Sequence, residues 1–536
     1  MSWKHVERDR DDSPSPKGKG QSMDDFIIRN IDIADGSGKA IFKGDVAWKD
    51  GIITAVGDAT GHEAQAVIEA KPGWVLSPGF IDTHTHNDDL VFIDHTQWPQ
   101  LKQGITTEIT GSCGVSTFPH SKKYLRALKK YCKYQDIVLP QKRWARWKTY
   151  EGCRKDADEH HPLINDLNLV GHGTLRIAVM GMQNREPSTE EMESMKALLR
   201  EAMDHGAIGM SSGLVYPPGA YADKAELTEL CKIVAEYDGV YSTHLRSEGD
   251  KLLEALQEAI DIGMESGCKV LISHHKVMTN DYDMQHKAYD MMESARQNGL
   301  RIINDQYTYN TGSTALGAML PPYVLSEIPK FFLSPFYRKR VRKSIETETS
   351  WSNYMLQLDH NDIIIIRSDK TPQYQGMSLA KAAESAGVDD ITIFFRILIR
   401  NLGNTTMAMK FSDMEMVEKI FLSPYTCIGS DGLGAGSGYP AHPRAYANQV
   451  RVFSEFVRER HLVSLEEAVR KCTSLPADFL GINKGHIKEG YDADIVIFDP
   501  EIIGSDASIT DPIREPKGIE YVFVNGAMRL KDGVIL

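Results

Sequence analysis

The sequence predicts an α/β protein: a (β/α)8 TIM barrel carrying a small β-sandwich domain formed by the N- and C-terminal segments. Three observations predict it. Through the middle of the chain, short apolar runs alternate with amphipathic helical stretches, the pattern of parallel strands joined by crossover helices. Eight such runs occur, the count of a closed barrel. Both ends of the chain are instead rich in short strands and tight turns.

Taken in order, residues 1–22 (MSWKHVERDRDDSPSPKGKGQS) are charged, rich in Ser, Pro and Gly, and lack an apolar centre. They read as a flexible leader, neither a signal peptide nor a membrane span. Residues 23–74 contain DFIIRNIDIADGSG and KGDVAWKDGIITAVG, whose alternation is interrupted by the hairpin dipeptide Asp50-Gly51. Residues 485–536 behave alike, with the turn dipeptides Asn525-Gly526 and Asp532-Gly533. These two pieces are expected to form one small β-domain, leaving residues 75–484 for the barrel. The eight strands end near WVLSPGFIDTHTH, GITTEITGSCG, LNLVGHG, GAIGMSSG, GVYSTHLRSE, KVLISHHK, RIINDQYTY and TCIGSDG. STEEMESMKALLREAMDHG and DKLLEALQEAIDIGMESG are typical of the helical stretches between them. Segments 116–162 and 317–425 are too long for simple connections and are expected to place extra helices over the barrel mouth.

Composition narrows the class. A chain of 536 residues has room for a large barrel plus a second module. A net charge of −13 disfavours nucleic acid as a partner. Seven scattered cysteines without a CxxC pair read as reduced thiols in a cytoplasmic protein. No run of about 18 apolar residues is present, so no membrane span is expected.

Reactive groups of such barrels stand at the C-terminal ends of the strands, where the loops converge. Here those ends carry His84 and His86, Cys113, His172, His244, His274-His275-Lys276, Tyr307 and Asp431. Alternation along a strand puts His84 and His86 on one face, so both can ligate one metal. Imidazole, thiolate and carboxylate together suit Zn²⁺ and disfavour Mg²⁺ or Ca²⁺. Such a metal lowers the pKa of bound water to about 7. Asp431, one strand from His84, is placed to take the water proton and return it to a leaving nitrogen. His172 is either a substrate-facing donor or part of a packed loop. His275 falls on the face opposite His274 and reads as structural.

These blocks resemble a known family. GFIDTHTHNDD is similar to the first metal motif of the amidohydrolase superfamily. The ordered set GFIDTHTH, TGSCGVS, GHGTLR, GAIGMSSGLVYPPG, STHLRSEG, ISHHK, GSDG and HPR resembles its N-acyl-D-amino-acid deacylase (D-aminoacylase) branch, from about residue 25 to the end. The resemblance implies a tightly bound zinc on Cys113, His244 and His274. It implies an adjoining weaker metal position on His84, His86 and Asp431, with Asp431 as general acid/base. It also implies a clamp for the substrate carboxylate made of Lys276, Tyr307 and Ser313. Arg444, in AHPR, is a candidate for carbonyl polarisation or substrate contact, and Tyr216 is a candidate pocket wall. The Gly-rich stretch between Asp431 and Arg444 reads as mobile. The basic run RKRVRK reads as a solvated helix face, in a region that matches no family motif.

The implied reaction is zinc-dependent hydrolysis of N-acyl-D-amino acids to a carboxylate and a D-amino acid. The implied partner is a small acylated amino acid. A cyclic amidase, acting on a dihydroorotate, hydantoin or dihydropyrimidine ring, is the alternative. Such relatives use a bridging lysine on the fourth strand, where GMSSG has none. A catalytically dead scaffold is a third reading, at odds with six retained ligands.

Overall fold

The computed structural model describes residues 23–536 apart from 91–96, 134–136, 279, 327, 350, 352 and 435–441. The leader and most of the Gly-rich stretch before Arg444 therefore lie outside the described residues.

Eight parallel strands form the barrel: β1 Phe80–Asp82, β2 Ile105–Thr110, β3 Asn165–Gly171, β4 Gly209–Gly213, β5 Val240–His244, β6 Lys269–Ile272, β7 Ile302–Gln306 and β8 Thr426–Ile428. All eight coincide with apolar runs read from the sequence. Closure between β8 and β1 is made by the Thr83 N–H on the Ile428 carbonyl (3.2 Å) and the Asp431 N–H on the His84 carbonyl (2.8 Å). Beyond them Thr85–His86 pairs in parallel with Gly432–Leu433. The mouth is thus closed by the residues that carry His84, His86 and Asp431.

The crossover helices form where the amphipathic pattern places them. Thr189–Asp204 starts in a capping box made by Ser188 and Glu191, and buries Met195, Leu199, Ala202 and Met203 at helical spacing. Leu252–Ser266 ends on Gly267 in the left-handed conformation. One end of the barrel is plugged by Ile109, Leu169, Val240, Leu271, Ile303 and Cys427, with Leu475 and Phe479 packed against them. The opposite end is lined by polar side chains, so burial at one end leaves the other for chemistry.

A nine-stranded sheet joins the two termini. It runs in the order Val534–Ile535, Ala527–Lys531, Ile519–Val524, Ile495–Phe498, Val75–Pro78, Asp24–Ile33, Phe42–Lys49 and Ile52–Gly57, with Ala64–Glu69 also paired to Asp24–Ile33. Asp50-Gly51, Asn525-Gly526 and Asp532-Gly533 all have positive φ, as two-residue hairpin turns require. Trp48 locks the two termini together. It is fully buried, packs on Phe26 and Phe523, and donates its indole N–H to the Gly526 carbonyl at 3.1 Å.

The long segments hold more than helices. Leu125–Lys133, Gln141–Arg146 and Tyr150–His160 occupy the first. In the second, Ile363–Arg367 and Thr406–Lys410 form a three-stranded antiparallel sheet with Thr311–Ala315. The run Ile363-Ile364-Ile365-Ile366 is β-branched throughout, and Ile363 and Ile365 are fully buried. Helix Pro335–Thr347 carries the RKRVRK run, with Lys339, Arg340 and Lys343 exposed. Among the described residues no helix is long and apolar enough to cross a membrane, and all seven cysteines are free and buried.

Trp48→Ala is expected to cost about 3–5 kcal/mol of unfolding free energy, read from chemical denaturation, because both the buried ring and its hydrogen bond are lost.

Candidate metal centre

Cys113 sits at the bend after β2, in the sequence Gly111-Ser112-Cys113-Gly114. A Cβ on Gly111 would stand 2.1 Å from the Leu169 carbonyl oxygen, and one on Gly114 would stand 2.8 Å from the Gly213 amide nitrogen. Glycine at both places lets the chain turn tightly against β3 and β4 and aim Cys113 over the barrel axis. Cys113 (φ 50°), His274 (φ 36°) and Asp431 (φ 49°) all adopt the left-handed backbone conformation. Each non-glycine residue there costs about 1–2 kcal/mol, and such strain clusters where structure serves function.

The six predicted ligands converge. Cys113 Sγ lies 3.4 Å from His84 Nε2, 3.4 Å from His274 Nε2 and 3.7 Å from His244 Nδ1. A sulfur and a nitrogen on one tetrahedral Zn²⁺ are separated by about 3.6 Å, given Zn–S and Zn–N bonds of roughly 2.3 and 2.0–2.1 Å. The donors therefore stand at the edge lengths of a zinc shell. Beside them Asp431 Oδ1 lies 3.2 Å from His86 Nε2 and 3.8 Å from His84 Nε2. Beside a triad of His244, Glu248 and His274 stand two built from the predicted ligands alone, His84–Cys113–His274 and His84–His86–Asp431, each with its donor atoms within 4.8 Å of one another. His84 belongs to both, so it stands between the two positions rather than in the second alone.

Electrostatics call for a cation. Burial opposes the charged form of Cys113, yet the His84 and His274 charges hold its thiol well below the usual range. Burial likewise opposes protonation of His86, but its hydrogen bond to Asp431 and the Cys113 thiolate bring it up to about 9. For Asp431, burial is outweighed by the Arg444 charge and the His86 hydrogen bond, and the carboxyl is held well below its ordinary value. Thiolate and carboxylate thus draw protons onto the rings between them. A divalent ion satisfies the same anions without those protons.

A ring of further groups orients the ligands. Glu248 Oε1 lies 3.0 Å from His274 Nδ1, and Oε2 lies 3.6 Å from His244 Nε2. Asp305 Oδ2 lies 3.6 Å from His84 Nδ1. Carboxylates behind imidazoles in this way fix the tautomer and ring orientation of a metal ligand. Sequence reading missed both residues. The available signals were an acid four residues after a strand-end histidine, and an acid inside the apolar strand Ile302–Gln306.

The remaining candidates line one cavity with Cys113, His274 and Asp431: Tyr216, Lys276, Tyr307, Ser313 and Arg444, joined by Thr314, Tyr354 and Met409. Lys276 Nζ is buried and donates to Glu248 Oε1 at 2.6 Å. Arg444 donates to Asp431 Oδ2 at 2.8 Å and to the Ser313 carbonyl at 3.0 Å, with its guanidinium over the Tyr307 ring. Burial pushes Tyr307 up to about 12, so its hydroxyl is a donor at neutral pH. Tyr216 packs edge-on against His244. Two histidines stand apart from the cavity. His172 Nε2 is bound to Glu226 at 2.8 Å, with Arg176 on the same carboxylate, which makes it a packed residue. His275 Nε2 is hydrogen-bonded to Gln285 Oε1 at 3.0 Å, and burial drops it to about 4.

The amidohydrolase family profile matches residues 66–327 and 378–529. N-acyl-D-aspartate deacylase from Alcaligenes xylosoxydans xylosoxydans is 33% identical over 505 residues, covering 94% of this chain and 91% of that one. The chain belongs to the amidohydrolase family, in its N-acyl-D-amino-acid deacylase branch. D-aminoacylase from the same organism is 32% identical, with 94% of each chain covered. The crystal structure of N-acyl-D-glutamate deacylase from Bordetella bronchiseptica, complexed with zinc and a phosphonate inhibitor, superimposes with a TM-score of 0.79 at 30% identity, covering 95% of this chain and 96% of that one. Within the family fold, β4 of this chain carries Met210, Ser211 and Ser212 and no lysine, while the Cys113 thiol stands 3.4 Å from His84 Nε2 at the mouth.

Glu248→Gln is expected to weaken metal binding about 10–100-fold, measured by competition with a chelator, because the amide no longer anchors both His244 and His274 as an anion. Unchanged affinity would remove Glu248 from the ligand-orienting ring.

Proposed function

We propose that this protein hydrolyses N-acyl-D-amino acids to a carboxylate and a free D-amino acid, with zinc as the resident metal. The observation that carries this reading is the arc of Lys276, Tyr307, Ser313 and Arg444 facing the Cys113–histidine cluster across one cavity. A cationic clamp beside a hydrolytic centre suits a substrate with a carboxylate one carbon from its amide nitrogen. The D configuration is taken from the deacylase relatives. Cys113, His244 and His274 would hold the tighter zinc, His86 and Asp431 an adjoining weaker position, and His84 would stand between the two.

When bound, the metal supplies Lewis acidity toward the amide oxygen and lowers the pKa of an attacking water to about 7. Asp431 is the general base. Arg444 keeps its carboxylate ionised at rest, so it is ready to accept the proton of water at Oδ1. The same carboxyl then returns that proton to the amide nitrogen as the C–N bond breaks. Lys276 donates to Glu248 Oε1 and stands 2.9 Å from His274 Nδ1, which leaves one of its three N–H donors for the substrate carboxylate. Tyr307 and Ser313 add neutral hydroxyl donors. Lysine provides a point charge here, and charge-assisted hydrogen bonds are roughly twice as strong as neutral ones.

Turnover of N-acetyl-D- and N-acetyl-L-amino acids by zinc-loaded protein tests the reading; preference for L substrates, or for hydantoin or dihydroorotate rings, contradicts it. Asp431→Asn is expected to keep at least one equivalent of zinc while losing about 10²–10⁴-fold in kcat. Near-normal turnover would remove Asp431 from its role. Lys276→Ala is expected to raise KM for N-acetyl-D-amino acids by about 10–100-fold, the loss of a charged hydrogen bond. The same change should matter far less for an N-acetylamine lacking the carboxylate, and equal effects on both would refute the clamp.

A further inference from the structure

A second cavity, of about 510 Å³, adjoins the metal cavity and shares two of its walls, Tyr216 and Tyr354. Its volume falls within the range of sites that hold drug-sized ligands, far more than an acetyl group needs. Leu214, Val215, Leu320, Pro322 and Trp351 line its inner surface. The charged side chains are arranged so that none offers a free cation inside. Arg246 donates to both oxygens of Glu258 at 3.0 and 2.9 Å and to the carbonyls of Ala220 and Ala222, which engages its guanidinium on three sides. Asp250, Lys251 and Glu254 stand exposed at the outer rim, with a net negative sum. An anionic substituent would meet only Lys251, exposed at the rim between two carboxylates, and no cation along the inner walls to offset its lost hydration. An apolar chain gains from burial along these walls.

The position decides which part of the substrate enters, and this step rests on the deacylase reading above. With the amide carbonyl at the metal ligands, the amine portion carries its carboxylate toward Lys276 and Tyr307, on the loops after β6 and β7. The acyl group leaves the carbonyl on the other side. That side is occupied by Tyr216, on the loop after β4, whose ring edge rests on His244 at a centroid distance of 5.3 Å. Behind Tyr216 and Tyr354 lies the second cavity. We infer that this cavity is an acyl-chain subsite, and that the preferred substrates carry a medium or long unbranched N-acyl group rather than N-acetyl. The deacylase relatives are named for the amino acid released; in this chain the apolar cavity adds selection on the acyl side.

Three substrates test it on the zinc-loaded wild-type protein: N-acetyl-D-alanine, N-octanoyl-D-alanine and N-acetyl-D-phenylalanine. Burial of a methylene is worth about 0.8 kcal/mol, or roughly fourfold. Even partial burial of six more methylenes predicts kcat/KM at least about tenfold higher for the octanoyl than for the acetyl derivative of alanine. Ala318, on the cavity wall, gives a second readout: Ala318→Phe should cut the octanoyl-to-acetyl ratio at least about fivefold. Equal rates for the two alanine derivatives overturn the inference while leaving the deacylase reading intact. A gain confined to N-acetyl-D-phenylalanine also overturns it, since the cavity would then receive the amino-acid side chain. Hydrolysis of none of the three overturns the deacylase reading itself, and the subsite with it.

Discussion

Everything at the mouth of this barrel is arranged around one thiolate among imidazoles. Cys113 Sγ stands within 3.4–3.7 Å of ring nitrogens from His84, His244 and His274, each carried by a different strand end. A crowd of buried donors of this kind is costly unless a cation joins it or protons are drawn in. The left-handed backbone at Cys113, His274 and Asp431 adds strain to that cost. The barrel holds it because the ligand-bearing segments also close the sheet. The Asp431 amide bonds to the His84 carbonyl, and Thr85 and His86 pair with Gly432 and Leu433.

The rest of the molecule divides labour around that point. Apolar side chains and the segment containing Leu475 and Phe479 fill the far end of the barrel, so solvent and substrate meet the strands from one side only. The connection from β7 to β8 builds walls: the strand Thr311–Ala315 supplies Ser313 and Thr314, and Tyr354, in the long segment that follows, closes the cavity. Glu248 couples the metal side to the clamp side. One carboxylate faces His244 and His274 and also holds Lys276, so ligand orientation and the placement of the substrate-facing cation are set by the same group.

Much of this was legible in the residues. Apolar runs ending in His, Cys or Asp marked the strands and their reactive ends, because period and polarity change together where a barrel strand meets its loop. The pairing Asp50-Gly51 marked its hairpin because that turn demands positive φ at both residues. What escaped is instructive. Asp305 faces His84, which arrives from a distant strand, and Glu248 has only the i,i+4 spacing to His244 as a local mark, its contacts to His274 and Lys276 coming from the next strand. From sequence His172 is open between a substrate-facing donor and a packed residue, since its partner Glu226 lies on a helix more than fifty residues further along the chain. The strand Ile363–Arg367 hid in a segment expected to be helical, its partner strand Thr406–Lys410 lying about forty residues further along the chain. The second cavity is likewise made by segments far apart in the chain, and no single motif signals it.

X-ray absorption at the zinc edge of the metal-loaded protein is the most direct test of the thiolate-centred site. One sulfur at about 2.3 Å together with imidazole nitrogens at roughly 2.0–2.1 Å is the shell expected. A first shell of nitrogen and oxygen alone would contradict it and leave Cys113 a buried thiol beside a different kind of centre.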